Sequence, residues 1–132
     1  MAGQSEKAEA FRALHKGKIL VLPNGWDVPS ARVFEDAGFP AVATSSAGLM
    51  VSLGFQDGEE IGIDILAKAV GKIANALSVP LSADVVGGFG RTPEEASASV
   101  LKIVEAGAVG VNVEDFVTAR RSFSRSNSRW RS

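Results

Sequence analysis

The stretch 79-VPLSADVVGGFGRTPEEASASVLKIVEAGAVGVNVED-115 decides the fold. It opens on a short apolar run that ends in a carboxylate, Asp84, and continues through Gly87, Gly88 and Gly90. Thr92, Pro93 and Glu95 then supply a cap hydroxyl, a proline at the first helical position and a T-x-x-E capping box, which together start a helix. Gly107 stops that helix near Ala106, and AVGVNVED forms a second apolar strand. Two continuously apolar strands joined by a helical crossover pair in parallel, with helices covering the sheet.

The same unit repeats upstream. KILVLP, residues 18–23, reads as a buried strand ended by Pro23, and VPSARVFEDAG, 28–38, as a helix with Ala31, Phe34 and Ala37 on one face and Gly38 at its end. FPAVAT, 39–44, is a second buried strand, and SSAGLMVSLG a short helix with a first turn of small residues. Asp57-Gly58 marks a turn. A longer helix over about 61–78 has Leu66, Val70, Ile73 and Leu77 as its apolar stripe. In front of all this, SEKAEAFRALHK predicts a leading amphipathic helix stopped at Gly17. The order is a helix followed by repeated strand and helix, with an echo between EDAGFPAVAT and VEAGAVGVNVED. This is an α/β chain with a parallel sheet, either doubly wound or a (β/α) barrel.

Composition sets the outer bounds. With 132 residues, 45% of them apolar, the chain fits one domain with a real core. It has no cysteine, so it offers no disulfide frame and no thiolate metal site, which suits a cytoplasmic location. No segment approaches the roughly 20 apolar residues that span a bilayer. The net charge of −1 hides an asymmetry: the final FVTARRSFSRSNSRWRS holds five arginines, five serines and no acid, leaving 9 basic against 15 acidic side chains elsewhere.

In parallel α/β folds the chemistry gathers at the carboxyl ends of the strands. Those positions here are Asn24 and Trp26, then Thr44, Ser45 and Ser46, then Asp84, then Asn112, Glu114 and Asp115, with Asp57 in the loop after the second strand. Oxygen donors without nitrogen or sulfur suit a hard cation, and Mg2+ is commonly held by one or two carboxylates with water and substrate oxygens completing its shell. Hydroxyls and free backbone N–H groups around Ser45, Ser46 and Ala47 suit a carboxylate or phosphate. Plainer roles fit the same residues: turn former for Asp57, helix caps for Ser45, Ser46, Glu114 and Asp115. GGFG lacks the spacing of a phosphate loop, and His15 lies on a surface helix without a role.

LVLPNGWDVPSARVFEDAGFPAVATSSAG, LGFQDGE, VPLSADVVGGFGRTPEE and EAGAVGVNVED, in that order, closely resemble the isocitrate lyase and phosphoenolpyruvate mutase superfamily, in the branch of carboxyvinyl-carboxyphosphonate phosphorylmutase and methylisocitrate lyase. The resemblance covers about residues 8–115 and implies the N-terminal half of a (β/α)8 barrel: a leading helix and about four parallel βα units. It implies that Asp84 binds Mg2+ directly, that Asp57 and Glu114 reach the ion through water, and that Ser45, Ser46 and Ala47 hold a substrate carboxylate. The implied chemistry is that of a lyase or isomerase, making or breaking a C–C or C–P bond of a small 2-oxo-acid-related substrate through an enolpyruvate-like intermediate.

Two departures accompany it. Val86 stands where the family usually has a second acid, which should weaken metal binding. After Asp115 the resemblance stops, so the family's catalytic cysteine and later substrate arginine have no counterpart, and no catalytic residue is assigned. Residues 1–115 are therefore expected to be a half-barrel, and 116–132 a Ser/Arg-rich tail that is disordered or read out of frame. The expected partners are a small carboxylate substrate and a further copy of the chain, with no membrane and no nucleic acid. The alternatives are an inactive truncated fragment, or a self-associating half-barrel whose cationic tail, with Phe123 and Trp130, binds nucleic acid weakly.

Overall fold

A computed structural model describes residues 3–55 and 61–115 of the chain. The expectations placed on Asp57 and on the Ser/Arg-rich segment 116–132 fall outside the described residues.

Helix α1 (Gln4–Leu14) is followed by strand β1 (Asn24–Gly25), helix α2 (Val28–Asp36), strand β2 (Val42–Thr44), helices α3 (Ser46–Ser52) and α4 (Ile63–Ala76), strand β3 (Leu81–Asp84), helix α5 (Pro93–Ala106) and strand β4 (Gly110–Asn112). The four strands form one sheet in the order β1-β2-β3-β4, every pairing parallel. Sequential parallel strands with helical crossovers are the repeat unit of a (β/α) barrel, and the chain folds as part of one.

Local signals explain where the helices begin and end. Thr92 accepts from the Glu95 amide at 3.2 Å while the Glu95 carboxylate accepts from the Thr92 and Arg91 amides, closing the expected capping box. α2 has a second such box that the sequence did not reveal, between Asp27 and Ser30, with Pro29 in its first turn. Gly38 follows α2 at φ +93°, and Gly107 follows α5 at φ +121°, a backbone region where a Cβ is unfavourable.

The core lies between the sheet and the crossover helices. Leu66, Val70 and Ile73 form the buried stripe of α4, and Leu77, expected on the same stripe, is buried just past the helix as its extended C-cap; all pack with Val42, Leu81, Ala83, Val85 and Ile103. Each fully buried Leu, Val or Ile contributes about 1.5–3 kcal/mol relative to exposure. α1 lies at the amino end of the strands. Its Gln4 donates to the Val104 and Ala108 carbonyls and its Lys7 to the Leu77 carbonyl, so side-chain donors satisfy carbonyls at the ends of α5 and α4. The Phe11 ring covers Gly110, where a Cβ would lie 2.5 Å from the ring edge.

The first strand differs from expectation. KILVLP is not a buried strand: pairing begins only at Asn24, Ile19 is 93% exposed and Val21 62%, while Leu20 and Leu22 are half-buried. The alternation is that of extended chain at a sheet margin, where only the side chains turned towards the sheet find cover. An apolar run specifies a preference for burial; the partner that would provide it is not among the described residues.

Candidate metal and substrate site

The strand register brings the ends of β2, β3 and β4 to one rim. Ser82 pairs with both Ala43 and Gly110, and Asp84 pairs with Asn112, so Asp84 leaves the sheet between the end of β2 and the end of β4. Its backbone N–H donates to the Thr44 hydroxyl at 2.9 Å, just past the last β2–β3 pair, Ala43 with Ser82. Thr44 is buried, so this hydroxyl continues the ladder where backbone pairing has ended.

The Asp84 side chain is half-buried and has two defined partners. Ser46 Oγ donates to Oδ2 at 2.7 Å, and the Val86 amide donates to Oδ1 at 3.0 Å. A carboxylate offers about four lone-pair sites, so both oxygens keep capacity for a further ligand. The carboxylate is thus neither buried under a helix nor free in solvent.

Ser45 and Ser46 divide the work at the start of α3. Ser45 is the N-cap: its Oγ accepts from the Gly48 amide at 3.1 Å, while its own amide donates to the Gly25 carbonyl. Ser46 spends its hydroxyl on Asp84, and the amides of Ser46 and exposed Ala47 are first-turn donors that a helix leaves without internal acceptors. Gly48 permits Trp26 to approach, since a Cβ there would meet Trp26 Cβ at 3.1 Å. Trp26, Ala47, Gly48, Val51 and Ser52 line an open depression of about 420 Å3 beside this turn.

Val86 answers for the missing acid in an unexpected way. It adopts φ +51°, a left-handed conformation that is rare for a β-branched residue. In that conformation its amide holds Asp84 and its carbonyl accepts from the Glu114 amide at 2.7 Å. One residue in a strained conformation therefore joins the metal-ligand candidate at the end of β3 to the one at the end of β4. The side chain of Glu114 is exposed and lines, with Gly87, Gly90, Arg91, Thr92 and Asp115, an open groove of about 350 Å3. The glycines of GGFG serve packing rather than phosphate: a Cβ on Gly90 would sit 2.6 Å from the Ala96 amide nitrogen at the start of α5.

The structure thus gathers Ser45, Ser46, Ala47, Asp84 and Glu114 at one end of the sheet. Among the described residues no three His, Cys, Asp or Glu side chains cluster as a closed metal cage. One partly shielded carboxylate with a hydroxyl on it, and a second acid at the end of the next strand, is a donor set that fits Mg2+, which keeps several waters and takes few protein ligands. Two contributors went unassigned from the sequence. Thr44 stood at a strand end, the one signal that pointed to it; the backbone role of Val86 has no signature in side-chain type.

Comparison with known proteins places the chain in a family. The sequence model of the phosphoenolpyruvate phosphomutase family matches residues 11–129, a span that continues past Asp115 into the Ser/Arg-rich segment. The 2-methylisocitrate lyase of Escherichia coli is 31% identical over 121 residues, covering 90% of this chain and 41% of that enzyme. A lyase/mutase-type protein from Burkholderia cenocepacia superposes with a TM-score of 0.81 at 41% identity, covering 89% of this chain and 41% of the other. Phosphonopyruvate hydrolase, solved with oxalate and Mg2+, superposes with a TM-score of 0.79 at 27% identity, covering 86% of this chain and 40% of that one. The chain spans about two fifths of the length of these relatives. It belongs to the phosphoenolpyruvate phosphomutase family, a family of lyases and phosphonomutases.

Proposed function

We propose that this family member carries the cation- and carboxylate-binding part of a Mg2+-dependent lyase or mutase site, acting on a small 2-oxo-acid or its phosphonate analogue. The observation that carries the reading is the 2.7 Å hydrogen bond from Ser46 to Asp84. It ties the proposed carboxylate cradle to the proposed metal ligand, so that a cation and an anion bound there would be neighbours.

Asp84 would hold Mg2+ directly, with Glu114 and Asp57 acting through water. Mg2+ held there would stabilise negative charge developing on a substrate oxygen. The protein's own part is positional. The Ser46 and Ala47 amides, with the Ser45 hydroxyl beside them, would orient the substrate carboxylate, while the Ser46 hydroxyl stays on Asp84. The Ser46 and Val86 donors fix the Asp84 carboxylate before any ligand arrives, so no reorganisation is needed on binding. Trp26 and Val51 border the same turn and would offer an apolar wall to one side of a small acid. No helix among the described residues is long and apolar enough to cross a membrane, and a cytoplasmic setting suits a cysteine-free chain with small acidic substrates.

Calorimetric titration of Mg2+ in the presence of oxalate tests the site, alongside turnover of oxaloacetate, phosphonopyruvate and 2-methylisocitrate with and without Mg2+. The wild-type chain should bind the pair and Asp84→Asn should not; equal binding by both would overturn the proposal.

A further inference from the structure

Past Asp84 and Asn112, the last pair of the sheet, the segments after β3 and β4 stay joined but fall out of step. The Val85 amide donates to the Asn112 carbonyl at 3.0 Å, as a regular parallel ladder requires. That ladder would next send the Glu114 amide to the Val85 carbonyl. It goes instead to the Val86 carbonyl at 2.7 Å, while the Val85 carbonyl accepts from the Gly88 amide at 2.8 Å. Val86 is therefore an extra residue on the β3 side, a bulge, and its φ of +51° is the left-handed bend that accommodates it. It is also the first central residue of the turn from Val85 to Gly88, where a positive φ normally selects Gly, Asn or Asp. The bend points the Val86 amide back at Asp84 Oδ1 at 3.0 Å, while the Ser46 hydroxyl holds Oδ2 at 2.7 Å.

We propose that Val86 is a positioning residue of the cation site, its left-handed bulge holding the Asp84 carboxylate in a fixed direction relative to the end of β4. The role rests on the reading of Asp84 as the cation ligand and adds to it the residue that aims that ligand. Backbone strain persists only where the surroundings over-determine it, and bulges next to functional sites re-aim side chains. Glycine would meet the φ of +51° without strain, but it would open a wider range of backbone angles. A β-branched residue has one narrow left-handed well, so the amide that faces Asp84 and the carbonyl that faces Glu114 cannot drift independently. The neighbouring valines divide the labour. Val85 is fully buried and packs in the core, whereas Val86 is half-buried and serves through its backbone.

Urea denaturation and calorimetric titration with Mg2+ alone separate the two roles. Val86→Gly should keep the urea midpoint of the wild type but lose about tenfold in Mg2+ affinity, the lower end of the cost of losing an orienting partner of a metal ligand. Val86→Ile keeps the branch at Cβ and should restore wild-type affinity. Val85→Ala should lower the urea midpoint yet bind Mg2+ as the wild type does. Amide exchange followed by NMR reads the bulge without metal: the Val86 and Glu114 amides should be protected in the wild type, and the Val86 amide should exchange faster in Val86→Gly. Wild-type Mg2+ affinity in Val86→Gly overturns the proposal. So does an equal loss of affinity in Val85→Ala, or a Val86 amide that is unprotected in the wild type. A wild-type chain that binds no Mg2+, alone or with oxalate, overturns the reading of the site itself, and this role with it.

Discussion

Thr44→Val is the substitution that most directly tests how the rim is held. The change is nearly isosteric and removes one atom's function, the hydroxyl that accepts the Asp84 amide at 2.9 Å in a position only 3% exposed. A buried donor left without its acceptor costs about 1–3 kcal/mol. The added methyl group returns up to about 0.8 kcal/mol of apolar burial. The net loss is about 1–2 kcal/mol, which at this chain length lowers the melting temperature by roughly 4–8 °C. Thr44→Ser is the control: it keeps the hydroxyl and loses one buried methyl group, costing about 1 kcal/mol. The two variants therefore overlap in stability but should separate at the site. With Asp84 released from β2, Mg2+ affinity in Thr44→Val should fall about 10–100-fold, the usual effect of losing an orienting partner of a metal ligand, whereas Thr44→Ser should stay close to wild type. Thermal denaturation and calorimetric Mg2+ titration read the two quantities separately. A Thr44→Val protein as stable as wild type, or one whose Mg2+ affinity matches that of Thr44→Ser, would refute the reasoning.

Asp84→Asn should retain an acceptor for the Val86 amide and a donor for Ser46, so its stability should stay within about 1 kcal/mol of wild type while Mg2+ binding is lost; urea midpoints and calorimetry check the pair. Val86→Gly relieves about 1–2 kcal/mol of left-handed strain and adds about 0.5–1 kcal/mol of chain entropy, so it should be nearly neutral, whereas Val85→Ala, at a position with no exposure, should cost about 2 kcal/mol in the same denaturation assay. Gly90→Ala forces backbone apart at the start of α5 and should cost about 1–3 kcal/mol by urea denaturation, and a neutral result would show that the loop readily shifts. Thr92→Ala removes the α5 cap and should cost about 1 kcal/mol, seen as faster amide hydrogen exchange in the first turn of that helix.

What the sequence determined by itself was what short-range chemistry encodes. The Thr92–Glu95 box, the glycines at 38 and 107, and the Leu66, Val70 and Ile73 stripe act within a few residues, so they fixed where helices start, stop and face. Repetition of strand and helix then placed Asp84 at a strand end, and the family motifs supplied its expected role. The tertiary structure alone decided which groups meet. Ser46 and Asp84 are 38 residues apart and touch only because β2 and β3 pair in one register; a shift of a single residue would turn Asp84 to the other face of the sheet. The same holds for Val86, whose role is a backbone conformation rather than a side chain, and for KILVLP, whose apolar character announced burial but whose cover depends on a neighbour that no run of residues can specify. Local propensity is written in adjacent residues, while register and the pairing of edges are properties of surfaces that exist only once the chain has folded.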